Sequence, residues 1–345
     1  MRAVRFTQRG NRAKLVEVDR PVPRDGEVLL RVVGAGLCHS DLAIMAEPDG
    51  GIGPEPPFTL GHEIVGRVVA VGPNVTEVAM GDVVAVYGPR GCMNCSACEA
   101  GSENYCTFPK ESPAPSPGLG SDGGISDFVL IDRPDRLVQV GNLDPISAVP
   151  LTDAGLTAYH AVKRARSKLS SGSTAVVIGF GGIGRFVVQL LRILTDARVV
   201  TVDIDPDKLT RAESIGSDFQ SIFGESAIEV VSEVSARAGA DVIFDCVGSQ
   251  DSAEFCRQVV SVGGKILMIG IGDGSIRVSL REVGRGVEVC APFWGSYPDL
   301  VELFALARNC ELFVDTETCS IEEAVDGYDR LQAGGVNGRM VVVPD

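Results

Sequence analysis

Three histidines and one tryptophan in 345 residues leave little imidazole or indole from which to build a site. Any imidazole ligand or base must be His39, His62 or His160. Long apolar runs are also missing. The apolar stretches are of the kind seen at residues 174–178 and 199–202, whereas a membrane helix needs about 20 consecutive apolar residues. The opening residues, Met1-Arg-Ala-Val-Arg5, carry no apolar signal region, so a soluble cytoplasmic protein without a membrane partner is expected. An excess of positive charge is lacking too: 31 Lys and Arg against 46 Asp and Glu give a net −15. Phosphate-binding surfaces need the opposite balance, which excludes nucleic acid as a partner.

What is present is more telling. The length exceeds the roughly 250–300 residues at which a single core stops growing, so two domains are expected. Ten cysteines without a secretory signal argue against a disulfide framework, and four of them, Cys92, Cys95, Cys98 and Cys106, fall within fifteen residues. The first 150 residues are β-rich: residues 27–33, 64–71 and 82–87 combine β-branched side chains with turn signals at their ends. Residues 109–124, rich in Pro, Ser and Gly, are expected to form an irregular loop.

From about residue 155 the texture changes. Residues 155–169 and 183–195 have helical spacing, and strand-like runs recur at 174–178, 198–202, 242–245 and 265–269, with a last strand at 339–343. Strand alternating with helix predicts α/β architecture with a parallel, doubly wound sheet of the Rossmann type. The expected division is 155–293 for this dinucleotide-binding domain, with 1–154 and 294–345 forming a second, β-rich domain.

Between the strand at 174–178 and the following helix lies Gly179-Phe-Gly181-Gly182-Ile183-Gly184, a G-x-G-x-x-G turn. Gly179 permits the tight turn, Gly181 lets the backbone approach a pyrophosphate, and Gly184 allows close packing of helix on strand. The helix N-terminus offers free N–H groups to the phosphates. Asp203, 24 residues beyond Gly179, ends the next strand and can accept bonds from the adenosine ribose hydroxyls. Its charge repels a 2′-phosphate, so NAD is expected rather than NADP.

Cys92-x2-Cys95-x2-Cys98-x7-Cys106 lets one loop wrap four thiolates around a tetrahedral ion. A structural zinc is preferred over an iron–sulfur cluster or bare thiols, because the flanking residues are hydrophilic and no other electron-transfer feature is present. A second set lies upstream. Gly36-Leu-Cys38-His39-Ser40-Asp41 gathers a thiol, an imidazole, a hydroxyl and a carboxylate, and Gly61-His62-Glu63 precedes a strand. Catalytic zinc requires three protein ligands and one exchangeable position. Cys38 and His62 supply two candidates, and the pattern does not name the third.

These motifs, in this order along essentially the whole chain, resemble the medium-chain, zinc-dependent alcohol dehydrogenases. The resemblance implies a β-rich GroES-like catalytic domain beside the Rossmann domain. It places Asp153, in Leu151-Thr-Asp153-Ala-Gly-Leu-Thr157, as the third zinc ligand, an arrangement similar to the bacterial secondary-alcohol dehydrogenases. Two zinc ions per chain follow. Glu63 matches a carboxylate that approaches the zinc during ligand exchange, and Asp41 matches the acceptor that fixes the tautomer of the zinc histidine.

The implied activity is NAD-dependent, zinc-assisted hydride transfer that interconverts alcohols, above all hydrophobic secondary alcohols, with ketones or aldehydes. Ser40 is implied to pass the alcohol proton to the nicotinamide ribose, while Ala43 stands where some members continue the relay with histidine. His39 and Arg339 resemble pyrophosphate contacts, and Thr157 resembles a residue near the nicotinamide. Ala43, Phe293 and Trp294 match pocket-forming positions. The short stretch between Cys106 and Asp153 resembles tetrameric members, with a dimer as the alternative. The scattered Cys246, Cys256, Cys290, Cys310 and Cys319 are expected to be buried small hydrophobes. Two competing functions are a polyol or amino-alcohol dehydrogenase of the same superfamily and a non-catalytic NAD-binding scaffold.

Overall fold

The computed structural model describes residues 1–48, 53–310 and 312–344, in two compact units. Met1–Asp153 with Ser296–Asp345 form the first, and Ala154–Gly295 the second.

The first unit is built on a seven-stranded sheet. Strand Val28–Leu37 is its longest and lies near the middle, paired antiparallel with Glu63–Val71 on one side and Arg339–Val342 on the other. Its side chains are buried almost without interruption, because both faces of this region are covered. Val4, Phe6, Leu30, Leu37, Ile64, Val68, Tyr328 and Met340 belong to one continuous core, so the chain's last strand and helix Ala324–Gln332 are integral to this unit. Residues 109–124 are mostly irregular, as expected, with one short turn at Pro109–Glu111 and a pair of two-residue strands, Ser116–Pro117 and Gly120–Ser121.

The second unit is a six-stranded parallel sheet. Its spatial order is Phe219–Ile222, Arg198–Asp203, Thr174–Ile178, Ala240–Asp245, Val260–Met268, Glu288–Cys290. Numbered by sequence this is 3-2-1-4-5-6, the doubly wound order whose switch point lies at the carboxyl end of the first strand. Thr174–Ile178 is buried at every residue, as a central strand between two helical layers must be. Val176, Ile178, Val200, Val202, Ile243 and Ile266 join Phe255 and Cys256 in its core.

Two strands of this second unit escaped the sequence reading, Phe219–Ile222 and Glu288–Cys290. Both lie at the sheet edges and are only partly buried, so neither carries a continuous apolar run. Helix Pro206–Ser214 was legible in retrospect, from Asp205 as N-cap and Pro206 at the first helical position. Of the scattered cysteines only Cys256 is fully buried. Cys246, Cys290, Cys310 and Cys319 are half-buried, because they fall at strand ends, helix ends and edges rather than under a helical layer.

Candidate metal centres and dinucleotide turn

Strand Val28–Leu37 ends at Cys38, whose extended backbone opens helix His39–Ala46. Asp41, in the first turn of that helix, reaches back so that its Oδ2 accepts the Cys38 N–H at 3.2 Å. The neighbouring strand Glu63–Val71 begins directly after His62, with Glu63 paired opposite Gly36. Adjacent strand ends therefore set Cys38 beside His62 and Glu63. Asp153 follows the short turn Val149–Thr152 and completes the group.

The Asp153 Oδ2 lies 3.6 Å from both Cys38 Sγ and His62 Nε2. One donor atom each from Cys38, His62, Glu63 and Asp153 all lie within 4.8 Å of one another. With metal–ligand bonds of about 2.0–2.3 Å, the ligand atoms of a tetrahedral site stand about 3.3–3.8 Å apart, so a soft thiolate, an imidazole and a carboxylate at this spacing fit zinc. Electrostatics agree. Burial opposes the charged form of the His62 imidazole, yet the carboxylates of Asp41 and Asp153 outweigh it and hold the ring well above its ordinary value. A divalent cation answers the same negative field.

The surroundings of this group are equally specified. His62 Nδ1 lies 3.0 Å from Asp41 Oδ1, which makes Nδ1 the nitrogen that keeps its proton when a metal binds and turns Nε2 toward Asp153. Tyr328, from helix Ala324–Gln332, donates its hydroxyl to Asp41 Oδ2 at 2.8 Å. Burial and the Asp41 charge push that phenol far above its usual range, so it stays a donor. Glu63 is wholly buried and paired with Arg339. Gly36 makes the space: a Cβ there would meet the Glu63 Cδ at 2.7 Å. Ser40 is half-buried with its Oγ 3.5 Å from Cys38 Sγ, whereas His39 and Ala43 are exposed on the same helix.

The cysteine loop gathers all four sulfurs within 4.8 Å of one another, with Cys95 Sγ at 3.6 Å from Cys98 Sγ and 4.0 Å from Cys106 Sγ. The edges of a tetrahedral sulfur cage with bonds of about 2.3 Å are about 3.8 Å, so this set also fits zinc. Backbone amides of Cys98 and Thr107 pull the Cys95 thiol down to about 6, a local preference for thiolate. The N–H groups of Cys92 and Phe108 point at Cys106 Sγ from 3.2 and 3.3 Å. None of the ten cysteines forms a disulfide.

In the second unit, Gly179 adopts φ +86°, and a Cβ on Gly184 would run into the Gly179 carbonyl. A Cβ on Gly181 would meet nothing within 4 Å, so protein packing gives no reason for glycine there. An approaching ligand does. Helix Gly182–Leu194 starts at Gly181 without a side-chain cap, leaving its first N–H groups for an anion. Asp203 ends its strand over this turn, its Oδ2 accepting the Phe180 N–H at 2.6 Å and its Oδ1 the Asp205 N–H at 3.0 Å. Open space, uncapped amides and a ribose-matching carboxylate fit a dinucleotide. Thr157 is buried in helix Ala154–Ala165, Trp294 is buried at φ +49°, and Phe293 is exposed with its ring at 87° to the indole.

Tyr328 and the Glu63–Arg339 pairing were not legible in the sequence, since each pair of partners is more than 270 residues apart. Arg339 is also not the solvated strand-end cation its position would suggest; it is 7% exposed.

Residues 24–142 match the profile of the "Alcohol dehydrogenase GroES-like domain", and residues 182–309 that of "Zinc-binding dehydrogenase". An NAD-dependent alcohol dehydrogenase of Sulfurisphaera tokodaii is 31% identical over the full length of both chains. A D-arabinose 1-dehydrogenase (NADP(+)) of Saccharolobus solfataricus is 30% identical, covering 95% of this chain and 93% of the relative. The crystal structure of the alcohol dehydrogenase from Aeropyrum pernix superposes with a TM-score of 0.92, at 30% identity and full coverage of both chains. Fold, motifs and full-length similarity agree: the chain belongs to the zinc-type medium-chain alcohol dehydrogenase family.

Proposed function

We propose that this chain oxidises hydrophobic secondary alcohols to ketones, and reduces ketones in reverse, with NAD as hydride carrier and two zinc ions per chain. The observation that carries the reading is the convergence of Cys38, His62 and Asp153 at 3.6 Å separations, in a chain that also holds the Gly179–Gly184 turn. Cys38, His62 and Asp153 would hold the catalytic zinc, and Cys92, Cys95, Cys98 and Cys106 the structural one. Bound there, the catalytic zinc supplies Lewis acidity that lowers the pKa of an alcohol. Asp41 keeps the His62 Nε2 lone pair aimed at the ligand cluster, and Ser40 holds the proton that leaves the alcohol. Glu63, adjacent in sequence to His62, is available to the metal when a ligand exchanges.

On the cofactor side, Gly181, Gly182, Ile183 and Gly184 present backbone to the pyrophosphate, and Asp203 accepts from the ribose hydroxyls. Charge repulsion between Asp203 and a 2′-phosphate supports NAD, in contrast to the NADP(+) of the D-arabinose relative. Thr157 is assigned to the nicotinamide, and His39 and Arg339 to the pyrophosphate. Ala43, Phe293 and Trp294 are assigned to an apolar substrate pocket. The domain reading remains 1–154 with 294–345, and 155–293. Cytoplasmic location and a homotetramer complete the reading.

The D-arabinose relative supports a second reading, a polyol or sugar dehydrogenase. Turnover of 1-phenylethanol and 2-octanol is to be compared with that of D-arabinose and sorbitol, using NAD and NADP in parallel. Preference for the apolar pair with NAD is expected; preference for the polar pair overturns the substrate assignment. Elemental analysis separates the enzyme from a non-catalytic scaffold: two zinc ions per chain are expected, and one would leave only the cysteine loop.

A further inference from the structure

A buried carboxylate has a soft terminal torsion, so its orientation is set by what donates to it. Asp41 is 0% exposed, and its hydrogen-bond partners divide between its two oxygens. Oδ1 faces His62 Nδ1 at 3.0 Å, while Oδ2 receives the Cys38 N–H at 3.2 Å and the Tyr328 hydroxyl at 2.8 Å. The Cys38 contact is the longest of the three and belongs to the local cap of helix His39–Ala46. The short bond therefore comes from Tyr328, among the described residues the one donor to Asp41 outside the segments that carry the ligand cluster.

Helix Ala324–Gln332 is held where it can make that bond. Gly327, next to Tyr328, has no Cβ, and one would come within 2.7 Å of Leu37 Cδ1 and 2.9 Å of Met340 Sδ. The helix thus lies closely on strands Val28–Leu37 and Arg339–Val342, and Tyr328 is 3% exposed beneath it. Ion pairs Arg12–Asp329 at 2.5 Å and Arg330–Glu317 at 2.6 Å flank it on the outside.

We infer that Tyr328 is a positioning residue for the catalytic metal: it locks the Asp41 carboxylate, which in turn holds the His62 ring in register with Cys38 and Asp153. The inference rests on the zinc reading of that cluster. Tyr328 touches neither ligand nor substrate in this role. Its effect reaches the metal through two hydrogen bonds, which ties occupancy of the site to the docking of a helix near the chain's end.

Tyr328→Phe removes the hydroxyl and keeps the ring. Zinc release from wild type and variant, each loaded with zinc alone, is followed with an excess of chromogenic chelator, the catalytic phase being the one that tracks loss of turnover. Partners of metal-bound histidine typically change metal affinity about 10–100-fold, so catalytic zinc is expected to leave about tenfold faster from the variant. Release from the cysteine loop is expected to stay unchanged, whereas a merely structural role would speed release from both sites. With cobalt in place of zinc, the visible absorption of the catalytic site is expected to shift. Equal release from both proteins overturns the inference, as does faster release from both sites together. A wild type that binds one zinc only would instead remove the reading beneath it, a result told apart by its stoichiometry.

Discussion

The Glu63–Arg339 pair gives the sharpest energetic expectation. Glu63 is 0% exposed and the Arg339 side chain 8%. Apart from their ion pair, neither Glu63 oxygen has a hydrogen-bond partner among the described residues. Arg339→Met keeps most of the volume and removes the charge. Removing one partner of a buried ion pair costs about 3–5 kcal/mol, because the other charge stays behind without compensation. The slot cannot open easily to admit water, since the Glu63 chain lies against Gly36 on the adjacent strand. In a unit of this size about 1 kcal/mol moves the unfolding midpoint by about 2–4 °C, so a drop of roughly 6–20 °C is expected.

Circular dichroism melts of the chelator-treated protein measure it. Repeating them with zinc adds a signature: a Glu63 oxygen lies within 4.8 Å of the donor atoms of Cys38, His62 and Asp153, so a bound cation takes over part of the lost compensation. The penalty is expected to shrink when zinc is present. Pairing Arg339→Met with Glu63→Gln is expected to recover part of the loss, because an unpaired amide costs about 1–3 kcal/mol rather than the full charge penalty. A midpoint shift below about 2 °C for Arg339→Met, with and without zinc, would refute the claim that this pair is energetically coupled.

Two further expectations concern the dinucleotide turn. Asp203→Gly combined with Ile204→Arg removes the carboxylate and places a cation on an exposed neighbour, Ile204 being 79% exposed; the ratio of activity with NADP to that with NAD is expected to rise at least about tenfold, and an unchanged ratio would rule out the ribose assignment. Gly184→Ala drives a methyl into the Gly179 carbonyl and must push helix Gly182–Leu194 off its strand; NAD affinity, followed by quenching of Trp294 fluorescence, is expected to fall at least about tenfold, whereas full affinity would show that close packing there is not required.

Much of the candidate site was legible because it is written in short segments. The Gly179–Gly184 turn, the four cysteines within fifteen residues and Cys38-His-Ser-Asp41 are local patterns, and local spacing fixes what one loop or one turn can wrap. Central strands such as Thr174–Ile178 were legible for a related reason: burial on both faces demands a continuous apolar run. The edge strands Phe219–Ile222 and Glu288–Cys290 were not, since a strand open to solvent on one side has no such demand.

The sequence by itself determined the two cores, the turn that a dinucleotide requires and the thiolate loop, because each follows from the chemistry of neighbours along the chain. Only the tertiary structure decided what surrounds the catalytic cluster. It set Asp153 at 3.6 Å from both Cys38 and His62, buried Arg339 against Glu63, and brought the Tyr328 hydroxyl to Asp41 across 287 positions. Those contacts exist because strands Val28–Leu37, Glu63–Val71 and Arg339–Val342 are neighbours in one sheet. Sheet pairing is set by the packing of the whole unit, and no local spacing encodes it.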